Sequence, residues 1–131
     1  MFLNVEKSMN VLLFINPSSC SEKTRLLNKI ESAVKDNTIE LITDFKKFLK
    51  RLKRFSHTIA AAVLFAYSND TLLDILSVKE LLEDVRIILI LPDRLPGTIS
   101  KGHLLRPRFM TYADSDFEDV KAVLNKMLEQ R

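Results

Sequence analysis

The sequence predicts a doubly wound α/β domain, with five parallel strands in the order 2-1-3-4-5 and helices on both faces of the sheet. Short β-rich apolar runs alternate with longer segments of helical spacing, the pattern of parallel strands joined by crossover helices. Three of the runs, VLLFI, IAAAVLFA and IILIL, are apolar at successive positions and not at alternate ones, so both of their faces must be covered. A chain of 131 residues with 47% apolar side chains has material for one such core and room for one domain, residues 1–131 with a core over about 10–129.

The strands are expected at Val11 to Ile15, Ile39 to Ile42, Ile59 to Ala66, Val85 to Leu91 and Arg108 to Tyr112. The first, third and fourth read as central. The second and fifth are shorter or more polar and suit positions near the sheet edges. Leu26, Leu27, Ile30, Ala33 and Val34 fall on one face of a first helix that starts near Cys20, with Ser19 and Glu22 spaced as a capping box. Phe45, Phe48, Leu49, Leu52 and Phe55 mark a second helix, and Leu72, Leu73, Leu76, Leu81 and Leu82 a third. Between Pro92 and Pro107 the crowding of proline and glycine leaves space for a short or irregular helix only. Phe117, Val120, Leu124, Met127 and Leu128 mark the last helix, with a Ser115 and Glu118 box of its own. Right-handed crossovers on five strands lead to a flavodoxin-like three-layer α/β/α arrangement. Ligands in that arrangement bind at the carboxyl ends of the strands, so the residues after Ile15, Ala66, Leu91 and Tyr112 carry the functional question.

The length, the five βα units and the ending FMTYADSDFEDVKAVLNKML resemble the receiver domain of two-component response regulators over Asn10 to Glu129. The resemblance implies a Mg²⁺-holding acid pair after the first strand, where this chain has Asn16 and Pro17. The phosphoacceptor aspartate would fall on Ala66 or Tyr67, and the hydroxyl residue ending the fourth strand on Leu91. The lysine and proline of the fifth strand would fall on Met110 and Thr111, and the family's switch aromatic on Pro107. Mg²⁺ needs hard oxygen ligands and the developing phosphoryl charge needs a cation, so this set describes a receiver that is not phosphorylated. Asp70, the nearest acid, is expected to cap the following helix together with Asn69.

Other chemistries find less. The loop Asn16 to Thr24, NPSSCSEKT, is a hydroxyl-rich turn before a helix and could take an anion, but it lacks the glycines of phosphate-cradling loops. Cys20 stands where some phosphatases carry a nucleophile, yet their arginine six positions on would be Leu26, and Arg25 is one residue early. His57 and His103 lie in different loops, without cysteines at metal-ligand spacing, so neither zinc nor a Ser/His/Asp triad is expected.

The local charge signal is KKFLKRLKRF, with Lys46, Lys47, Lys50, Arg51, Lys53 and Arg54 on the second helix. It is read first as the solvated side of a helix that covers the sheet, and second as an adaptor face for nucleic acid or an anionic membrane. A formal net charge of +3 is too small to indicate a nucleic-acid binder by itself. The single cysteine fits a reducing compartment, and no apolar run reaches the length of a membrane span, so a soluble cytoplasmic protein is expected. The leading expectation is a non-catalytic module without metal or cofactor that binds a signalling or regulatory protein. A small-molecule or nucleotide-phosphate binder using Asn16 to Thr24 is the alternative. The resemblance also implies a homodimer through the fourth helix, fifth strand and fifth helix.

Overall fold

The structure, a computed structural model, describes residues 9–16, 21–34 and 38–129. Its elements alternate as β1 (Asn10–Asn16), α1 (Glu22–Ala33), β2 (Thr38–Ile42), α2 (Phe45–Lys53), β3 (Ile59–Ala66), α3 (Asn69–Leu76), β4 (Ile87–Leu91), α4 (Pro96–His103), β5 (Phe109–Tyr112) and α5 (Glu118–Glu129). All pairings are parallel and the sheet order is β2-β1-β3-β4-β5, as the sequence predicts.

The pleat sorts the apolar runs between two cores. Val11, Leu13, Ile15, Val63, Phe65, Ile88 and Ile90 face α1 and α5. Leu12, Phe14, Leu64, Leu89 and Leu91 face α2, α3 and α4. Every residue of β3 is buried, which explains its run of three alanines: two helical layers close on it at once. The edge positions of β2 and β5 expose more of their side chains, and their sequences are correspondingly more polar.

Several boundaries differ from the expectation, each for a local reason. β4 starts at Ile87 and not at Val85, because the Val85 N–H closes a turn onto Leu82 O and the Arg86 guanidinium reaches for main-chain carbonyls. Arg108 likewise precedes β5. α1 begins at Glu22, two residues later than expected, while Ser19 and Cys20 lie outside the described residues. The third leucine series is not one helix: α3 ends at Leu76, Ser77 and Val78 turn the chain, and a 3₁₀ turn follows at Lys79–Leu82. Thr71, Leu72 and Ile75 are its buried positions, and Leu73 is exposed. The cap of α3 is Ser68, whose Oγ accepts from Thr71 N at 3.2 Å, so Asn69 and Asp70 are first-turn residues and not caps. At α5 the expected box does not form. Ser115 Oγ takes the Phe117 N–H at 2.9 Å, and Glu118 pairs with Lys29 of α1. Phe55 continues the helical spacing of α2, but the helix ends at Lys53 and Phe55 sits in the left-handed region with φ 56, its ring turned into solvent.

Candidate functional site

The carboxyl edge of the sheet is where this topology positions ligand chemistry. Pairing of Ile15 with Phe65, Phe65 with Ile90 and Ile90 with Thr111 sets one row across four strands. The next and last row is therefore Asn16, Ala66, Leu91 and Tyr112, two of whose pairings, Asn16 with Ala66 and Leu91 with Tyr112, close the ladders. Three of the expected crevice residues thus come together. Met110 does not join them. It lies two residues inside β5, level with Leu89, and its side chain packs under α4, where a Cβ on Gly102 would stand 2.9 Å from its Sδ. Tyr112 occupies the edge position instead. Pro17, Ser18, Ser19 and Cys20 of the hydroxyl-rich loop lie outside the described residues, and Glu22, Lys23 and Thr24 form the first turn of α1.

The β1–β3 switch point is stitched by its own polar groups. Only Tyr67 and Ser68 separate β3 from α3, so the helix begins directly above the strand ends. The Thr71 hydroxyl, buried, donates to Asn16 O at 3.2 Å and ties α3 to the end of β1. Tyr67 points partly into solvent beside Phe65.

A second group of polar side chains, not foreseen from the sequence, stands over β4 and β5. Glu22, Pro92, Asp93, Arg94, Tyr112, Ala113 and Asp114 line a hollow of about 340 Å³. Arg94 Nη1 donates to Asp114 Oδ2 at 2.6 Å, and its guanidinium carbon lies 4.3 Å from the Tyr112 ring centre. That hydrogen bond holds the Asp114 carboxyl below its ordinary range and Arg94 above its own. Asp93 is also held below the usual carboxylate range, first by the Thr98 hydroxyl and then by the Leu95 N–H, which Oδ1 accepts at 3.0 Å. Thr98 Oγ1 also donates to Asn69 Oδ1 at 3.4 Å, which ties the start of α4 to the first turn of α3. Both aspartates are therefore committed, one to the start of α4 and the other to Arg94. The sequence signal for them was the topological rule that singled out the residues after Leu91 and Tyr112. The pairing of Arg94 with Asp114 across the β4–α4 and β5–α5 loops is a tertiary contact that the sequence does not show.

The remaining candidates separate. Arg25 donates to Ser115 O at 2.9 Å and stands 4.7 Å from the Phe117 ring centre, so it fastens α1 to the α5 corner. His57 and His103 are on different elements, in the turn before β3 and at the end of α4. Among the described residues no three His, Cys, Asp or Glu side chains gather as a metal site. Lys46, Lys47, Lys50 and Lys53 of α2 and its C-cap Arg54 are exposed, but Arg51 is not part of that face. It bends back to Glu40, with Nε 2.9 Å from Oε1, and to Thr58 Oγ1 at 2.9 Å.

No protein-family model and no curated protein sequence matches the chain. Solved structures do. A response regulator from Thermotoga maritima superposes with a TM-score of 0.68 at 10% identity, covering 92% of this chain and 98% of that one. The chemotaxis response regulator CheY4 of Vibrio cholerae gives 0.63 at 12% identity, over 94% and 98% of the two chains. The chain has the receiver fold. A putative pilus assembly-related protein from Burkholderia pseudomallei shares it too, with a TM-score of 0.70 at 12% identity over 93% of this chain and 90% of its own. In this fold the edge row described above lies at the carboxyl ends of the strands, the end at which doubly wound sheets bind ligands. Among the described residues no helix is long and apolar enough to cross a membrane.

Proposed function

We propose that the chain is a non-catalytic, phosphorylation-independent receiver-like module that acts in signalling or regulation by binding another protein. The observation that carries this reading is the edge row Asn16, Ala66, Leu91 and Tyr112, which offers an amide, a methyl, a branched alkyl group and a phenol. None of these supplies an anionic oxygen ligand for Mg²⁺, an acyl-phosphate acceptor or a cation for the phosphoryl oxygens. The acids beside the row support it as well. Asp93 and Asp114 are engaged by α4 and Arg94, and Asp70 lies in the first turn of α3, where a negative charge favours the helix. A cytoplasmic setting is part of the proposal, supported by the lone thiol of Cys20. So is a homodimer through α4, β5 and α5, supported by Leu95 and Leu104, which stand exposed at the two ends of α4.

Incubation with acetyl phosphate and Mg²⁺, followed by intact-mass measurement, checks the reading. The expected result is an unchanged mass. A phosphoryl adduct on any aspartate, Asp70 included, overturns it.

A further inference from the structure

The cationic side of α2 and the free edge of β2 form one surface. Among the described residues β2 ends the sheet order, and only one of its two edges is paired, with β1. Beside it, Ile42, Lys47, Lys50, Arg54 and Phe55 line a hollow of about 340 Å³ together with Arg51. Among the described residues the lysines and Arg54 enter no ion pair. Glu40, the acid within β2, is already held by Arg51 and Asn10, and Asp44 Oδ2 accepts the Lys47 N–H. Within the described residues, Lys47, Lys50 and Arg54 therefore face solvent without a counter-charge.

Phe55 adds a second observation. Its ring is 65% exposed, on a residue whose left-handed backbone disfavours a bulky side chain. That conformation is held from several sides. Phe55 O accepts from Thr58 N at 2.9 Å, Thr58 Oγ1 at 2.6 Å and Arg51 Nη1 at 3.2 Å, while Arg54 O accepts from Arg51 Nη1 at 2.7 Å. Arg51 thus leaves the cationic face in order to present an aromatic ring beside it.

We propose that this surface docks an acidic, extended segment of a partner protein, which pairs with the outer edge of β2. In such a segment alternate side chains point to opposite faces. Those on the face of Ile42 meet Lys47, Lys50 and Arg54 and are carboxylates, with one apolar residue seated on Phe55 and Ile42. Those on the other face lie along Leu41, itself partly exposed, and are apolar. A membrane is disfavoured because the apolar stripe of α2, Phe48 and Leu52, is buried on the sheet and cannot insert. A nucleic acid is disfavoured because Phe55 is the one aromatic ring in the hollow, where strand binding uses successive stacking platforms. The proposal rests on the protein-interaction reading above and names its surface and partner chemistry.

Titration of the full ¹⁵N-labelled chain with a synthetic peptide of alternating glutamate and valine is the test. Saturable amide shifts are expected at Thr38 to Ile42 and at Phe55. The double variant Lys50→Glu with Arg54→Glu should bind at least about tenfold more weakly, since like charges then oppose each other. Phe55→Gly should also weaken binding while keeping or raising Tm, because glycine adopts the left-handed backbone without strain. Absence of saturable shifts, shifts at another surface, or equal affinity in the charge-reversed variant overturns the proposal. Oligothymidylate or phosphatidylserine vesicles binding in place of the peptide overturns it as well. Failure of the phosphorylation-independence reading would register at Asn16, Ala66 and Tyr112, so the two failures are separable.

Discussion

Replacing Phe14 by alanine should lower the unfolding free energy by about 3–5 kcal/mol, the usual cost of deleting a fully buried phenyl group. Phe14 is inaccessible to solvent in the middle of β1. Its ring stacks on Phe48 of α2 with centroids 4.3 Å apart and meets Phe45 edge-on at 6.4 Å. The loss combines the transfer free energy of the ring, the cavity it leaves and the aromatic contacts that fix α2 on the sheet. Urea unfolding should show a lower midpoint with an unchanged slope. A change below about 1 kcal/mol would mean that α2 is not anchored in this way.

Arg86→Met should cost about 1.5–3 kcal/mol, the range for hydrogen bonds to a charged donor. Arg86 is partly buried before β4. Its Nε and Nη2 donate to Ala60 O at 3.1 and 2.8 Å, and its Nη1 donates to Met127 O at 2.8 Å. One guanidinium thus joins the start of β3 to the last turn of α5, where it also complements the negative end of the helix. Methionine keeps much of the stem and removes the donors, leaving main-chain carbonyls short of partners. Hydrogen exchange should speed up first in the C-terminal turn of α5. An unaltered midpoint in denaturant would contradict the assignment.

How far the sequence could be read follows from where tertiary contacts decide. The strands were legible because a run such as IAAAVLFA can be satisfied only between two helical layers, and β3 spans Ile59–Ala66 as expected. Helix ends were less legible, since spacing does not reveal where a turn is better bonded. Phe55 carries on the i, i+3 pattern of α2, but the Arg51 and Thr58 hydrogen bonds to its carbonyl turn it outward. Leu81 and Leu82 continue the series of α3, but the turn at Ser77 and Val78 interrupts it. Asn16, Ala66 and Leu91 were placed at the crevice by strand ends alone. Met110, taken from the position of the family's lysine, lies level with Leu89 and not in that row, and an edge strand of four residues, FMTY, carries no internal register mark. The Arg94–Asp114 pair and the inward Arg51 were not legible, because charge in a sequence does not say which cation finds a carboxylate.

The proposed function requires that the edge row Asn16, Ala66, Leu91 and Tyr112 hold neither Mg²⁺ nor an acyl phosphate. Beryllofluoride with Mg²⁺ mimics that state without a kinase, so a ¹⁵N–¹H spectrum recorded with and without it reads the crevice directly. Superimposable spectra are expected. Shifts clustered at Asn16, Ala66, Leu91 and Tyr112 would contradict the proposed function.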